Sequence, residues 1–243
     1  MRNGPRTRRI PAACHPRRVT ASIRRQLRTI ASRLRRAYGD PPAARHLPPI
    51  DELVLTILSQ NTSDVNRDRA YADLRRAFPS WGGVAAAPVR SIVLAIRRGG
   101  LALTKAPRIK ATLRSLAGRA VSLDEPRALA ELDDAELWDL LLGLPGVGPK
   151  TAACVLLFSL DRPHFPVDTH VHRVSIRLGL VGERATAASA QAALQAQVPP
   201  DLVYALHMGL IRHGREVCVA RRPFCSHCVL ADLCPRVGVV DSR

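Results

Sequence analysis

Four cysteines near the end of the sequence have the residue type and spacing of metal ligands. Cys218, Cys225, Cys228 and Cys234 lie within seventeen residues and are separated by six, two and five residues. Soft thiolates at this density can surround one metal centre, and both zinc and an iron–sulfur cluster accept four cysteines. Zinc modules usually contain two close cysteine pairs, whereas only Cys225 and Cys228 form one here. The spacing predicts a metal centre and, taken alone, leaves both metals open.

A glycine-rich stretch earlier in the chain predicts a turn between two helices that can bind phosphate. Residues 141–153 read Leu-Leu-Gly-Leu-Pro-Gly-Val-Gly-Pro-Lys-Thr-Ala-Ala. We expect Gly143 to end the first helix in the left-handed conformation, and Gly146 and Gly148 to have positive φ or to let another backbone approach closely. The next helix would begin at Pro149, and its unpaired N–H groups and positive dipole end suit an anion. The simpler alternative is an ordinary helix–helix turn.

Lys150, directly after this turn, is a candidate nucleophile. Only three of the 37 basic residues are lysines, namely Lys105, Lys110 and Lys150, so composition alone does not explain a lysine here. At the second position of a helix the positive dipole end disfavours the ammonium and favours the free amine that imine chemistry requires. The alternative role is contact with a DNA phosphate only.

Asp168 is a second candidate, in the string Phe-Pro-Val-Asp-Thr-His-Val that precedes another predicted helix. An aspartate at this place can cap the helix, and capping alone is a sufficient reason for it. His170, two residues later, is interpreted as an ordinary helix residue.

Three of these motifs together resemble the endonuclease III family of DNA glycosylases. Leu-Pro-Gly-Val-Gly-Pro-Lys-Thr-Ala resembles the family's helix-hairpin-helix, Val-Asp-Thr-His its aspartate segment, and the cysteine run its 4Fe-4S loop. The resemblance runs from about Ile50 to Cys234. It implies that Lys150 attacks the anomeric carbon of the damaged nucleotide and that Asp168, across an interdomain cleft, stabilises the oxocarbenium-like charge as the base departs. It also implies that the hairpin holds the DNA backbone at Leu144, Gly146 and Gly148.

The resemblance assigns further residues to DNA and to a cofactor. It implies a 4Fe-4S cluster with a structural role on the four cysteines, and zinc is the alternative. Arg221 and Arg222, between the first two ligands, would meet DNA phosphates. Gln60 would fill the gap left by the extruded base, unless a one-residue offset gives this role to Asn61, and Leu101 would wedge into the opposite strand. The alternatives are a helix end for Gln60 and a core position for Leu101.

The whole chain has the size and charge of a globular nucleic-acid-binding protein. With 243 residues and 47% hydrophobic content it can form one large or two small folded domains, which excludes a disordered protein. A net charge of +17 favours nucleic acid or another anionic partner. No run of about 18 apolar residues and no apolar signal core is present, which predicts a soluble intracellular protein. Cysteines in that compartment are thiols or metal ligands rather than disulfides.

The first part of the chain is strongly basic. Residues 1–36 contain twelve arginines and no acidic residue. Residues 1–19 show no helical period and are interpreted as a disordered basic tail. Because targeting peptides are also rich in arginine and poor in acids, an organelle-targeting peptide is the alternative to a cytoplasmic protein at the bacterial nucleoid.

The remaining sequence has helical periodicity, and no segment alternates as a strand does, so the predicted fold is all-α. Helices are expected from a cap at Thr20 to Tyr38, from Asp51 to Gln60, after a cap at Ser63, and over residues 89–97, 104–116, 134–142, 149–160, 168–178, 186–197 and 200–213. By resemblance, residues 48–161 form a six-helix bundle domain with the hairpin. Residues 20–47 and 162–235 form the iron–sulfur domain, with the active-site cleft between the two, and residues 236–243 form a C-terminal tail.

These observations predict a monomeric, bifunctional DNA glycosylase and apurinic/apyrimidinic (AP) lyase that acts on oxidised pyrimidines and AP sites in double-stranded DNA. The sequence departs from the family beside the wedge, where Ala102-Leu103 replaces the Tyr-Asn that relatives often carry. One alternative is the related adenine glycosylase, which normally lacks the hairpin lysine and has a glutamate where this chain has Thr56. Another is a cluster-bearing DNA-binding protein without activity, which would need neither Lys150 nor Asp168.

Overall fold

The computed structural model describes residues 21–125, 127 and 129–243. The predicted basic tail and the Thr20 cap lie outside these residues. In the described part every regular element is a helix, which confirms the predicted all-α fold, and none of these helices is long and apolar enough to cross a membrane. The α-helices are α1 (Ala21–Tyr38), α2 (Pro49–Ser59), α3 (Asp64–Ala77), α4 (Trp81–Ala86), α5 (Val89–Ile96), α6 (Ala102–Gly118), α7 (Asp134–Leu142), α8 (Pro149–Leu160), α9 (Thr169–Arg177), α10 (Ala187–Gln197) and α11 (Val203–Glu216).

Local capping signals set several helix starts. The Ser63 side chain accepts a hydrogen bond from a backbone N–H at the start of α3, and Thr186 does the same for α10. Asp133 and Glu136 form a reciprocal capping box at the start of α7. These caps satisfy N–H groups that would otherwise lack a partner, so the helices begin close to where the sequence predicts them.

Helix α4 is not predicted by the sequence pattern. It contains Gly82 and Gly83, which are poor helix formers. The Ser80 hydroxyl accepts from the Gly83 N–H at 3.0 Å, and the Asp124 carboxylate accepts from the N–H groups of Trp81 and Gly82 at 2.5 and 3.1 Å. Since Asp124 lies more than 40 residues further along the chain, this helix depends on a tertiary contact.

The first hydrophobic core surrounds α2 and α8, which pack against each other along most of their lengths. It is built from α2 to α8, with fully buried side chains that include Leu53, Ile57, Ala152 and Val155. Nearly every residue of α2 is buried, as its apolar sequence predicts. Consequently α2 and α8 have little freedom to move, and residues at their ends are held in place.

The second hydrophobic core joins distant parts of the chain. Leu27 and Leu34 of α1 pack with side chains of α9, α10, α11 and the C-terminal loop. The Tyr38 hydroxyl also bonds His213 Nδ1 of α11 at 2.8 Å. Leu157 of α8 belongs to this core, so α8 enters both cores and connects them.

Candidate active site

The glycine-rich turn joins α7 to α8, and its backbone differs in part from the expectation. Gly146 has a φ of 75°, as predicted, and a Cβ there would lie 2.6 Å from the Arg108 side chain. Gly143 has φ −75° and ψ −4°, so the predicted left-handed conformation is wrong. Its N–H still bonds the Asp139 carbonyl at 3.0 Å, which continues the right-handed helix by one residue. Gly148 has φ −113° rather than a positive φ, and a Cβ there would meet no described atom within 4 Å.

The start of α8 presents free N–H groups at the surface. Among the described residues, the amides of Gly146, Gly148 and Lys150 donate to no backbone acceptor. No side chain caps this twelve-residue helix. The Leu144 side chain is only 3% exposed and packs in the first core, so only its backbone can reach a ligand. The open end of α8 therefore has the free donors and dipole that an anion needs.

Lys150 is the second residue of α8 and is half-buried. The Cys154 thiol lies one helical turn further on, near the Lys150 side chain, and it is buried. Burial raises the pKa of Cys154, and the charge of Lys150 acts in the opposite direction. The lysine thus stands at the boundary between the open end of α8 and a buried environment.

Asp168 begins α9 and caps it, as predicted. Its Oδ1 accepts from the Val171 N–H at 2.7 Å, which leaves Oδ2 outside the cap. Both Asp168 and Lys150 affect the pKa of the buried His207 imidazole. Burial lowers this pKa to about 4, the charge of Asp168 raises it, and the charge of Lys150 lowers it. The structure therefore brings Lys150 and Asp168 to the same region, between the start of α8 and the start of α9.

Two buried polar side chains, His207 and Gln191, hydrogen-bond the backbone next to Asp168 and Lys150. His207 donates from Nδ1 to the Pro166 carbonyl at 3.0 Å, and its ring lies edge-on to Phe165 with 6.0 Å between centroids. Gln191, 5% exposed, donates from Nε2 to the Pro149 carbonyl at 3.0 Å. These contacts hold the segment before the aspartate and the first residue of the lysine helix. No sequence signal indicated either contact, because both join residues about 40 positions apart.

Glu52 is a buried acid close to Lys150 that sequence reasoning missed. It lies on α2, is 7% exposed, and accepts a hydrogen bond from the Thr56 hydroxyl at 2.9 Å. Burial raises its pKa to about 7, against the lowering effects of the Thr56 hydrogen bond and of the charges on Lys150, Arg67 and Arg45. The available signal was a pair of acidic residues, Asp51 and Glu52, in the first turn of a helix that is otherwise almost entirely apolar.

The two segments predicted to enter DNA are exposed loops. Gln60 ends α2, and its Oε1 accepts from Arg108 Nη1 at 2.5 Å. Asn61 follows with a φ of 50°. Leu101 has a φ of 51° and is 53% exposed, so the alternative of a core leucine is wrong. Leu103, two residues later, is 80% exposed. Exposed leucines beside a polar loop suit insertion into a base stack.

The four C-terminal cysteines line one cavity. All four are free thiols and half-buried, and the walls between them are mostly apolar. Burial raises the pKa of Cys228 and of Cys234, and the neighbouring thiols add to this effect. In the described ranges no three His, Cys, Asp or Glu side chains form a site for a single bound ion. Several half-buried thiols around one cavity fit ligands whose thiolate form a bound centre would stabilise.

Arg177 organises the first half of this cysteine loop. It is 8% exposed, and its guanidinium donates to the carbonyls of Val219 and Ala220 at 2.7 and 2.9 Å and to Cys218 Sγ at 3.3 Å. Cys234 Sγ donates to the Arg177 carbonyl at 3.1 Å. One arginine on α9 therefore connects the first and last of the four cysteines.

The two arginines of the cysteine loop differ in their surroundings. Both Arg221 and Arg222 are exposed. Arg222 Nε forms an ion pair with Asp241 at 2.8 Å, whereas Arg221 has no ion-pair partner within the part of the chain that the structure describes. Arg221 is thus the freer of the two to meet an anion.

The sequence matches known DNA repair proteins. Residues 54–200 match the HhH-GPD superfamily of base excision DNA repair proteins. The chain is 34% identical over 198 residues to endonuclease III of Thermotoga maritima, which covers 80% of this chain and 86% of that protein. It is 31% identical over 213 residues to endonuclease III of Escherichia coli, covering 87% and 96%. It is also 37% identical over 205 residues to an Arabidopsis thaliana protein named as a DNA glycosylase, of which it spans 66%.

The fold is similar to solved structures. A trapped covalent intermediate of endonuclease III with DNA superposes with a TM-score of 0.74 at 28% identity, covering 88% of this chain and 96% of the other. A non-covalent endonuclease III–DNA complex also gives 0.74, at 27% identity. A thermostable thymine-DNA glycosylase gives 0.71 at 20% identity, which is a likeness of fold alone.

Proposed function

This chain belongs to the endonuclease III family within the HhH-GPD superfamily of base excision DNA repair proteins, and we propose that it removes oxidised pyrimidines from DNA by means of Lys150 and Asp168. It is a DNA glycosylase and AP lyase. The observation that supports these roles is that Lys150 lies in the first turn of α8 and Asp168 caps the start of α9, and that the charges of both affect the pKa of the same buried His207.

In the proposed first step, the Lys150 amine attacks C1′ of the damaged nucleotide. The nitrogen–C1′ bond forms while the glycosidic bond breaks, and the base leaves with the bonding electrons and takes up a proton. The free oxygen of Asp168 stabilises the positive charge that develops on the sugar. The cap on α9 fixes this carboxylate before the substrate arrives, so little free energy is lost in orienting it.

In the second step, the amine loses a proton and the sugar ring opens, which gives a Schiff base between Lys150 and C1′. Loss of a proton from C2′ then expels the 3′ phosphate and cuts the strand. The phosphates that flank the lesion would lie at the free N–H groups of Gly146 and Gly148, since a backbone can approach Gly148 without meeting a side chain.

We propose that Gln60 fills the gap in the duplex, with Asn61 as the alternative one residue later, and that Leu101 enters the opposite strand. Arg221 would add a phosphate contact at the edge of the interface, and Arg222 could do so after releasing Asp241. The enzyme would act as a monomer on double-stranded DNA with damaged bases or AP sites. Its expected place is the cytoplasm at the bacterial nucleoid, and an organelle import assay of the basic N-terminus would test the alternative.

We propose that Cys218, Cys225, Cys228 and Cys234 hold a 4Fe-4S cluster. The four thiols around one cavity and the fixing of two of them by Arg177 support this ligand set. In such a site each iron atom would have a cysteine ligand. The cluster would therefore supply structural stability and leave no open position for the reaction. Zinc on the same ligands is the alternative outcome.

Two alternative functions have less support. An adenine glycosylase-like enzyme would not need a lysine at the open end of α8, and Thr56 stands where its glutamate would be. However, the buried acid Glu52 contacts Thr56 on the same helix face, so adenine opposite oxidised guanine belongs in the substrate panel. A binding protein without activity would need neither the lysine nor the free aspartate oxygen.

The test is borohydride trapping on a panel of damaged duplexes. We expect a covalent complex and strand cleavage with oxidised pyrimidines, and no trapping by Lys150→Ala, which should still bind the duplex. Lys110→Ala is the matched control, because Lys110 is a partly buried lysine whose ammonium donates to the Ala87 carbonyl away from this region. Trapping by Lys150→Ala at the normal rate would mean that another amine is the nucleophile.

A further inference from the structure

Lys105 is an unusual buried residue that the proposed reaction does not use. It lies on α6 and is only 2% exposed. Its ammonium donates to the carbonyl of Leu58 at 2.7 Å and to the carbonyl of Gly99 at 2.8 Å. No carboxylate in the described residues forms an ion pair with it, and burial lowers its pKa. A buried ammonium that bonds only to carbonyls is costly compared with an apolar side chain, which suggests a specific role.

The two carbonyls belong to the two loops that are proposed to enter DNA. Leu58 lies two residues before Gln60, and Gly99 lies two residues before Leu101. The tips of both loops have a left-handed backbone at a non-glycine residue, with φ of 50° at Asn61 and 51° at Leu101. This conformation is unfavourable for a leucine, and it persists only where the surroundings hold it. A single ammonium hydrogen-bonds just behind both tips.

The opposite side of the Gly99 segment is also fixed. A Cβ on Gly99 would lie 2.9 Å from the Ala70 side chain of α3, so the loop is packed tightly against that helix. The Leu101 loop is therefore held from two sides. Helix α3 packs against it on one side, and on the other side Lys105 of α6 hydrogen-bonds both this loop and the end of α2.

Other side chains on the same face of α6 extend this arrangement to the hairpin. Arg108 bonds the Gln60 side chain at 2.5 Å and packs against Gly146. The Thr112 hydroxyl donates to the Pro145 carbonyl at 3.0 Å. Positions three and seven residues after Lys105 share its helix face, so one face of α6 contacts all three loops of the proposed DNA surface.

We propose that Lys105 is a positioning residue that fixes the separation of the Gln60 and Leu101 loops, so that both enter the duplex together when the damaged base is extruded. This proposal rests on the DNA-contact roles proposed above. Lys105 would act before the chemistry and would not touch the reacting atoms. Its loss should therefore affect substrates in proportion to how much extrusion they require.

The experiment compares Lys105→Met with Lys110→Met. Methionine keeps an unbranched side chain of similar length and removes the ammonium. Lys110 is on the same helix, and its ammonium also donates to a carbonyl, that of Ala87, which belongs to neither DNA loop. Single-turnover base release is measured on a fully paired duplex that contains an oxidised pyrimidine. Borohydride trapping is measured on a single-stranded AP site, which requires no extrusion.

We expect Lys105→Met to slow release from the paired duplex by about a hundredfold, the loss typical of a small misplacement of binding groups. Trapping on the single-stranded AP site should stay close to wild type, and placing the lesion in a mismatched, already open pair should restore much of the lost rate. Lys110→Met should leave the ratio of the two activities unchanged. An equal loss on both substrates, or no loss on either, would overturn the proposal.

A double-mutant cycle covers the case in which Lys105→Met folds poorly. Lys105→Gln keeps one short donor. Its rate of base release from the paired duplex should lie between the rates of wild type and Lys105→Met. If Lys105 acts by placing Leu101, then Leu101→Ala should cost much less in the Lys105→Gln background than in wild type. Full additivity would contradict the proposal. Failure of wild-type protein to trap on any substrate would instead count against the proposed function.

Discussion

Asp168 uses one carboxylate oxygen to cap α9 and leaves the other free, so two substitutions can separate its roles. Asparagine keeps an acceptor for the cap but removes the charge, whereas alanine removes both. We expect Asp168→Asn to slow single-turnover base release by about 100- to 1000-fold, the usual effect of losing one preorganised electrostatic group, with little change in melting temperature. Asp168→Ala should lose about 1 kcal/mol of stability in addition. A normal rate of base release in Asp168→Asn would contradict the assignment.

Glu52 should make stability depend on pH in a defined window. Folding raises the pKa of this carboxyl from 4.5 to about 7, so the native state holds a proton that the unfolded chain releases. The stability from this group is full below the unfolded pKa and is lost as the pH rises through the folded pKa. Glu52→Gln cannot ionise, and its stability relative to wild type should increase between about pH 5 and about pH 8 by up to about 3 kcal/mol. Urea unfolding at both pH values measures this difference.

Glu183→Gln is the control for that experiment, because Glu183 is an exposed carboxylate. It should show a much smaller change between the two pH values. If Glu52→Gln behaves like this surface control, the Glu52 carboxyl is not held in a buried environment.

The residues that were predictable from sequence are those whose signal is local. The spacing of the cysteines and the position of Lys150 after the glycine turn lie within short stretches. Lys105 and Arg177 were not predictable, because their partners lie 47 and 41 residues away, at Leu58 and Cys218. Glu52 was visible as one of two acids at the start of an otherwise apolar helix, but only packing of α2 on α8 brings it near the lysine.

At the scale of elements, the hairpin should tolerate a side chain at one glycine and not at the other. Gly146→Ala would force a left-handed alanine and displace the Arg108 side chain, which holds Gln60. We expect it to cost about 1–2 kcal/mol and to weaken duplex binding. Gly148→Ala meets no described atom within 4 Å at ordinary φ, so its stability should stay within about 0.5 kcal/mol of wild type. Denaturant unfolding of both variants decides this, and equal stabilities would contradict it.

The cysteine-lined cavity leads to a prediction about metal content. Purified protein should be brown and contain about four iron atoms per chain, as a 4Fe-4S centre implies. Removing the metal by oxidation and chelation should make residues 218–234 sensitive to protease, while the first hydrophobic core, which shares no side chain with the cavity, should keep its helical signal. A colourless, fully folded protein with one zinc would overturn the cluster assignment.

Helices with strong periodicity were predictable, and their ends were less so. Helix α6 begins at Ala102, two residues before its predicted start, because the left-handed Leu101 precedes it. Helix α11 extends to Glu216, three residues beyond the prediction. The short α4 depends on hydrogen bonds to Asp124. The right-handed conformation of Gly143 depends on its backbone hydrogen bond to the Asp139 carbonyl. Neither contact is visible in local residue preferences.

At the scale of the whole molecule, the basic tail is predicted to contribute to DNA affinity. Its six arginines before Thr20 have no countercharge and cannot form a core. If roughly four of them meet phosphates, deleting residues 1–19 should flatten the plot of log K against log salt by about 3.6 units, at about 0.9 per contact. Binding to undamaged DNA should weaken, and single-turnover base release on saturating substrate should stay the same. An unchanged salt slope would favour targeting or a protein partner as the role of the tail.

The packing of α1 against α11 also sets an order of events during protein synthesis. Tyr38 and His213 are 175 residues apart in sequence, so the ribosome makes one long before the other. At about 5–20 residues per second, the apolar face of α1 waits on the order of ten to thirty seconds for its partner. The first core, made from a continuous stretch of chain, can fold during this interval, whereas the second cannot close until α11 emerges. Nascent chains are therefore most exposed to aggregation and to chaperones through α1, and the proposed metal centre can be inserted only after Cys234 has been made.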